Sequence, residues 1–280
     1  MEFMYLGTGA SEGYPALFCQ CERCYMAMEL GGKNIRARTG ALINSDLLLD
    51  FSPDMYMNKL RYKLDLGKVN HLIVTHSHTD HFAAAELMMR HEHWYCQLQE
   101  SGKKLHIYGN ETVEETMKSA LRYDYGTDTI EDPFYEFHII QPFMPFTLGE
   151  VTVTALPAHH KPDEHSFIYL LEQNNTRFLY GNDSGVFSDE TFNYLRDKHL
   201  DVVSLDCNYG LEDRYDYHMG ISGCRIVRER LLDQNSCDTS TSFILTHFSH
   251  YSAELHDTLV KNTAEENFII SYDGMKVFLA

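Results

Sequence analysis

Three imidazoles and a carboxylate fall within six consecutive positions in Thr75-His76-Ser77-His78-Thr79-Asp80-His81, directly behind the apolar run 71–75. Nothing else in the chain restricts its architecture as tightly. Side chains of an extended segment repeat with period two, so His76 and His78 can point the same way. Asp80 and His81 open a helical pattern over 82–90 and can face a second ion. Such a loop predicts a metal centre at the end of a sheet strand, but it cannot close two coordination shells alone. Three further strand ends offer the rest: residues 151–158 lead into His159-His160, 178–180 into Gly181-Asn182-Asp183, and 243–246 into His247. Imidazole and carboxylate donors suit Zn, Mn or Fe, and the two oxygens of Asp183 could bridge a pair of ions.

A second donor cluster, Cys19-Gln20-Cys21-Glu22-Arg23-Cys24, places three thiols in C-x-C-x-x-C spacing. That suits a tetrahedral zinc site short of one ligand; a redox pair is the alternative. The Cys total of seven is odd, with three crowded here, which fits a reducing compartment better than a disulfide framework. The cytoplasm is therefore expected. Cys96, Cys207, Cys224 and Cys237 read as ordinary thiols. Lys plus Arg number 23 against 41 Asp plus Glu, a formal charge of −18. Such a field repels polyanions and anionic bilayers, which argues against nucleic-acid and membrane partners. No apolar run reaches the ~18 residues of a membrane span.

Short β-type runs alternate with helical patterns over 82–90, 112–121, 189–198, 221–232 and 253–261, and an Asn-Ser-Asp turn joins runs 41–43 and 47–51. Hairpins mixed with strand–helix units predict an α/β chain with mixed sheets, organised as a single domain over 1–280. Segment 110–145 reads as an insertion that forms a lid or a homodimer contact. Leu47-Leu48-Leu49-Asp50 and the run 178–183 echo each other, both apolar and both ending at Asp; ordinary polar strand ends explain the echo equally well.

Taken together, these residues resemble the metallo-β-lactamase superfamily. Leu6-Gly7-Thr8-Gly9, the histidine loop, Gly181-Asn182-Asp183-Ser184-Gly185 and Leu245-Thr246-His247 match its pattern in order and cover nearly the whole chain. The resemblance implies a four-layer αβ/βα sandwich of two mixed β-sheets with the site at one edge between them. It implies two divalent ions, Zn or Mn: His76, His78 and His160 on one, Asp80, His81 and His247 on the other, with Asp183 bridging. His159 competes with His160, which is preferred because similar sequences carry a small or polar residue before the ligand.

The cysteine cluster is similar to that of the superfamily's cyclic-phosphate phosphodiesterase branch, in which a His three residues past the last catalytic His completes a structural Zn. His250 stands three residues past His247, so it is the expected fourth ligand to Cys19, Cys21 and Cys24. His218 alone reads as a helix-capping residue, whereas the branch implies contact with the scissile phosphate. Asp80 would orient the nucleophile and take its proton. Arg36 and Arg38 either hold a second substrate phosphate or lie in a solvated loop. The implied activity is hydrolysis of a small cyclic phosphodiester, of the phosphoribosyl cyclic phosphate or 2′,3′-cyclic nucleotide type, by in-line attack of hydroxide. Two other readings stay open: an RNA 3′-processing nuclease of the same superfamily, and a non-catalytic metabolite-binding member similar to the pyrroloquinoline-quinone pathway protein.

Overall fold

In the computed structural model, which describes residues 1–92, 94–130, 133–252 and 254–279, the apolar runs assemble into two seven-stranded sheets. The first holds β1 (Glu2–Gly7), β2 (Gly40–Ile43), β3 (Leu47–Leu49), β4 (His71–Ile73), β5 (Leu105–Gly109) and β6 (Tyr135–Ile139). The second holds β7 (Phe146–Leu148), β8 (Val151–Pro157), β9 (Phe167–Gln173), β10 (Thr176–Gly181), β11 (Val202–Asp206), β12 (Ser242–Thr246) and β13 (Phe268–Ile270). The last strand, β14 (Lys276–Phe278), returns to the first sheet beside β1. The helices are α1 (Glu22–Leu30), α2 (Met55–Tyr62), α3 (Glu111–Tyr125), α4 (Asp189–Leu195), α5 (Ile221–Asp233) and α6 (His256–Thr263).

Each sheet changes sense at one strand. β1 to β3 run antiparallel and β3 to β6 parallel; β7 to β10 run antiparallel and β10 to β13 parallel. The parallel strands send their carboxyl ends to one edge, which is where such sheets place their sites. β1 is apolar at successive positions because both its faces are covered. Phe3 and Tyr5 join Ile43, Leu49 and Ile73 against Val153, Tyr169 and Phe178 of the second sheet, and the Phe3 and Phe178 rings stack at 4.2 Å. Met4 and Leu6 face outward with Leu72 against Val113, Met117 and Leu121 of α3. On the far side Leu205 and Leu245 pack against Phe192, Val227 and Leu259 of α4, α5 and α6. The layers thus run helix, sheet, sheet, helix, as the superfamily pattern predicts.

The three-residue β2–β3 turn places Asn44 and Ser45 at φ 49° and 71°, left-handed conformations that Asn enters more readily than most residues. Asn110 and Ser188 cap α3 and α4 by accepting from the backbone N–H of Val113 and Thr191. Gly7 closes β1 because a Cβ there would lie 1.9 Å from the carbonyl oxygen of Arg38; only glycine lets the 36–39 segment pass so close.

Some elements differ from the sequence reading. The pattern over 82–90 becomes a 3₁₀ helix at Ala84–Arg90, and α1 and α2 form where no helix was expected. The pattern over 253–261 becomes α6, its expected start at Ala253 lying outside the described residues. Segment 110–145 contributes α3, with Val113, Met117 and Leu121 buried, and the edge strand β6.

Candidate metal centre

β4 runs out through Val74 and Thr75 into the histidine loop, and the loop is fixed from both sides. The backbone N–H and hydroxyl of Thr75 donate to Asp50 Oδ1 at 2.8 and 3.0 Å. The backbone N–H and hydroxyl of Ser77 donate to Glu164 at 2.8 and 2.6 Å. Burial pushes the Glu164 carboxyl up, but the Ser77, Asn110 and Lys161 donors outweigh it and hold it below the ordinary range.

Two donor sets converge there. His78 Nδ1 stands 2.9 Å from His76 Nε2 and 3.3 Å from His160 Nε2, with Asp183 Oδ2 3.5 Å from the first and 3.9 Å from the second imidazole. In the second set, His81 Nε2 lies 2.5 Å from Asp183 Oδ2 and 3.2 Å from Asp80 Oδ2, and His247 Nε2 lies 2.7 Å from Asp183 Oδ1. Within His76, His78 and His160, and within Asp80, His81, Asp183 and His247, all donor atoms lie inside 4.8 Å of one another. His160, not His159, enters the cluster; the His159 side chain is exposed beside Tyr217.

Backbone conformation aims these groups. Asp50, Asp183 and His247 sit at φ 61°, 50° and 63°, a left-handed region that costs energy for any residue with a side chain and that Asp and His enter more readily than most. The rear imidazole nitrogens are then tied down: His81 Nδ1 to Asp50 at 2.7 Å, His247 Nδ1 to Thr39 Oγ1 at 2.9 Å, and His76 Nδ1 to Thr75 Oγ1 at 3.0 Å. Each contact leaves Nε2 as the outward donor, the usual way a protein orients metal-binding imidazoles.

The chemistry of the donors fits a pair of divalent ions. Asp50, Asp80, Asp183 and Asp206 are all buried around imidazoles, and buried carboxylates require paired cations or metal. His81 Nε2 and Asp183 Oδ1 are buried without a hydrogen-bond partner; they approach their neighbours without pointing at them, as lone pairs aimed at a shared centre do. Burial disfavours the Asp183 anion, yet His247, His81 and His218 hold its carboxyl well below the ordinary range. Burial and the neighbouring His81 charge push His76 well down, leaving it neutral and available as a ligand. Asp50→Asn keeps the size of the group but weakens its hold on His81. Metal affinity should drop about 10–100-fold, measured by competition with a chromogenic chelator, while secondary structure stays intact.

His218 stands at the rim. Its Nδ1 lies 2.8 Å from Asp206 Oδ2 and 3.2 Å from Asp183 Oδ1. Burial works against its protonation, but the two carboxylates prevail and raise it to about 9. Asp206 is fully occupied, accepting from the backbone N–H groups of Asn208 and Met219 at 3.0 Å, so it serves to position His218.

The thiols of Cys19, Cys21 and Cys24 meet His250 within 4.8 Å, with Cys21 Sγ 3.8 Å from His250 Nδ1. Cys21 immediately precedes α1, and Cys24 lies in its first turn. Arg23 fastens the unit to the 250–254 loop through Glu254 at 2.8 Å and the Tyr251 carbonyl at 2.9 Å. Three thiols and one imidazole make a closed tetrahedral donor set for zinc.

Arg36 matches neither expectation for it. It is buried, donating to Thr8 Oγ1 and the Ser271 carbonyl at 2.8 and 2.7 Å and lying 4.4 Å over the Phe248 ring. Arg38 pairs with Asp54 through Nε and Nη2 at 2.9 and 2.6 Å. It lines a 430 Å³ cavity with Glu12, Leu17, Phe18, Cys19 and His250. Sequence reasoning passed over Asp50, Thr39 and Glu164 as supports. Only Asp50 left a trace, in the echo between the runs ending at Asp50 and Asp183.

Two packed mixed sheets meet at an edge that carries merged His/Asp clusters suited to divalent metal. The chain belongs to the beta-lactamase superfamily: the family model described as beta-lactamase superfamily domain matches residues 46–248. Among curated proteins it is 27% identical over 165 residues to an octanoyltransferase of Porphyromonas gingivalis, covering 57% of this chain and 31% of that protein. It is 24% identical over 171 residues to a ribonuclease Z of Methanocaldococcus jannaschii, covering 60% and 47%. The matches thus span less than half the length of either relative. A solved diphosphatase from the PhnP family superposes with a TM-score of 0.73 at 20% identity, over 99% of this chain and 96% of that one, a likeness of fold.

Proposed function

We propose that the chain is a binuclear phosphodiesterase acting on small cyclic phosphodiesters, of the phosphoribosyl cyclic phosphate or 2′,3′-cyclic nucleotide type. The observation that carries this reading is the merging of two donor sets on Asp183, with the Asp206-held His218 3.2 Å away. His76, His78, His160 and Asp183 would hold one ion, Asp80, His81, His247 and Asp183 the other, either Zn or Mn. Such a pair, when bound, supplies Lewis-acid stabilisation of a phosphate and lowers the pKa of water. The protein's own groups do the rest. Asp80, buried beside His81, orients the attacking water and accepts its proton. His218, with Nδ1 engaged by Asp206, keeps Nε2 for the leaving oxygen and either donates a proton there or stabilises the developing charge. A strained five-membered cyclic phosphate needs little further surface, since positioning alone contributes strongly to rate. Cys19, Cys21, Cys24 and His250 would hold one structural zinc. Thiolate ligation is compatible with the cytoplasm, where thiols stay reduced, and among the described residues no helix is long and apolar enough to cross a membrane.

The convergence of the full donor set favours catalysis over metabolite carriage. The relationship to a ribonuclease Z supports phosphodiester chemistry, but the −18 charge opposes long polyanions. A side-by-side assay of a ribose cyclic phosphate, a bis-aryl phosphodiester, a precursor tRNA and a thioester, with Zn and with Mn, tests the reading. The two small phosphodiesters should be cleaved. Turnover of the tRNA or the thioester alone would overturn it. His218→Ala should cut turnover about 10²–10⁴-fold with metal content unchanged.

A further inference from the structure

On β4, β5 and β6 the first sheet carries another donor cluster, built from residues that belong to neither set described above. β4, β5 and β6 are parallel and in register, with His71 beside His106, His106 beside Glu136 and Tyr108 beside His138. Alternation therefore puts His71, His106, Glu136 and His138 on one face. His106 Nδ1 lies 3.1 Å from His138 Nε2. Glu136 Oε2 stands 3.9 Å from the former and Oε1 3.8 Å from the latter. These separations are near the ~3.4 Å edge of a tetrahedron whose metal–ligand bonds are about 2.1 Å. Burial pushes His138 below its ordinary pKa despite Glu136, which keeps an imidazole lone pair available near neutral pH. His71 adds a third imidazole, its ring 5.7 Å from that of His106 and its Nδ1 buried without a hydrogen-bond partner. The side chains of His106, Glu136 and His138 are 36%, 55% and 34% exposed, so an ion reaches them from solvent and water can complete its shell.

We propose that His106, Glu136 and His138 form an additional binding site for a borderline divalent ion of the Zn, Ni or Cu class, apart from both the catalytic pair and the thiol cluster. Two imidazoles and one carboxylate select such ions over Mg or Ca. The bound ion ties edge strand β6 to β5, cross-linking at its open end the strand pair that carries α3 between its members.

Equilibrium dialysis of the holoprotein against Zn, after the catalytic and thiol sites are filled, tests this. Wild type should take up one further zinc per chain, not displaced by a hundredfold excess of Mg. His106→Ala and His138→Ala should each weaken that uptake at least tenfold, and Glu136→Gln should weaken it less, while all three keep wild-type hydrolysis of a bis-aryl phosphodiester. Retained activity certifies the fold and the catalytic metals independently of the new site. If hydrolysis is absent in every variant and in wild type, zinc counting and circular dichroism still decide the question. Equal zinc uptake by wild type and both histidine variants overturns the proposal, as does the absence of any further zinc in wild type.

Discussion

Asp183→Ala should depress hydrolysis by at least about 10³-fold, the scale expected when charge stabilisation at the reacting phosphate is withdrawn. Its carboxylate meets both donor sets: Oδ2 faces His76, His160 and His81, and Oδ1 faces His247. Removing it takes away the carboxylate that the two donor sets share, so both catalytic ions should be lost together, read as two fewer metals per chain. The fold should persist, because Asp183 sits on a preformed strand end whose hydrophobic layers do not include it. Asp183→Asn keeps the volume and separates charge from space: it should still lose activity but preserve thermal stability better than alanine. Near wild-type turnover in either variant, with two metals retained, would falsify the bridging assignment.

Cys21→Ser should cost the other metal. The thiol cluster is a closed four-donor set, and closed zinc sites contribute their binding energy to folding. Even a few kcal/mol of that contribution corresponds to a fall of about 10 °C in melting temperature for a chain of this size. Burial pushes the Cys24 thiol up to about 12, whereas the His250 contact brings Cys21 down to about 6. Of these two, Cys21 is the thiol readier to bind as thiolate. One zinc fewer per chain, a lower melting temperature and a loosened 16–30 segment should appear together. An unchanged zinc count and melting temperature would remove the structural role.

The parts of this molecule that were legible in advance are those where chemistry is local. The loop 75–81 spells out its donors within seven residues, and strands such as β8, β9 and β12 are short apolar runs bounded by turns. The pairing of β1 with β14 is invisible in sequence because its partners lie at opposite ends of the chain. Helix α1 escaped notice because Met, Tyr and Leu side chains point to solvent on it, leaving Cys24 and Ala27 as its buried residues; the Arg23 contacts to the 250–254 loop hold it, not an apolar stripe. Arg36 misled because a guanidinium is read as exposed, whereas here Thr8, the Ser271 carbonyl and the Phe248 ring enclose it. Asp50 was visible solely as half of an echo, and its role became apparent once both echoing strands were seen to be the ones at which their sheets change sense.

The thiol cluster and the histidine-loop centre are each closed by residues that are synthesised late. Cys19, Cys21 and Cys24 wait for His250, and the 76–81 loop waits for His160, Asp183 and His247. A ribosome delivers these partners in order at a few residues per second, so the early thiols and imidazoles spend many seconds as half-built traps for whatever cation is abundant. Correct metal choice therefore cannot be made when the first ligands emerge. It is deferred until the second sheet has docked, and exchange out of those early, incomplete complexes becomes part of the protein's maturation.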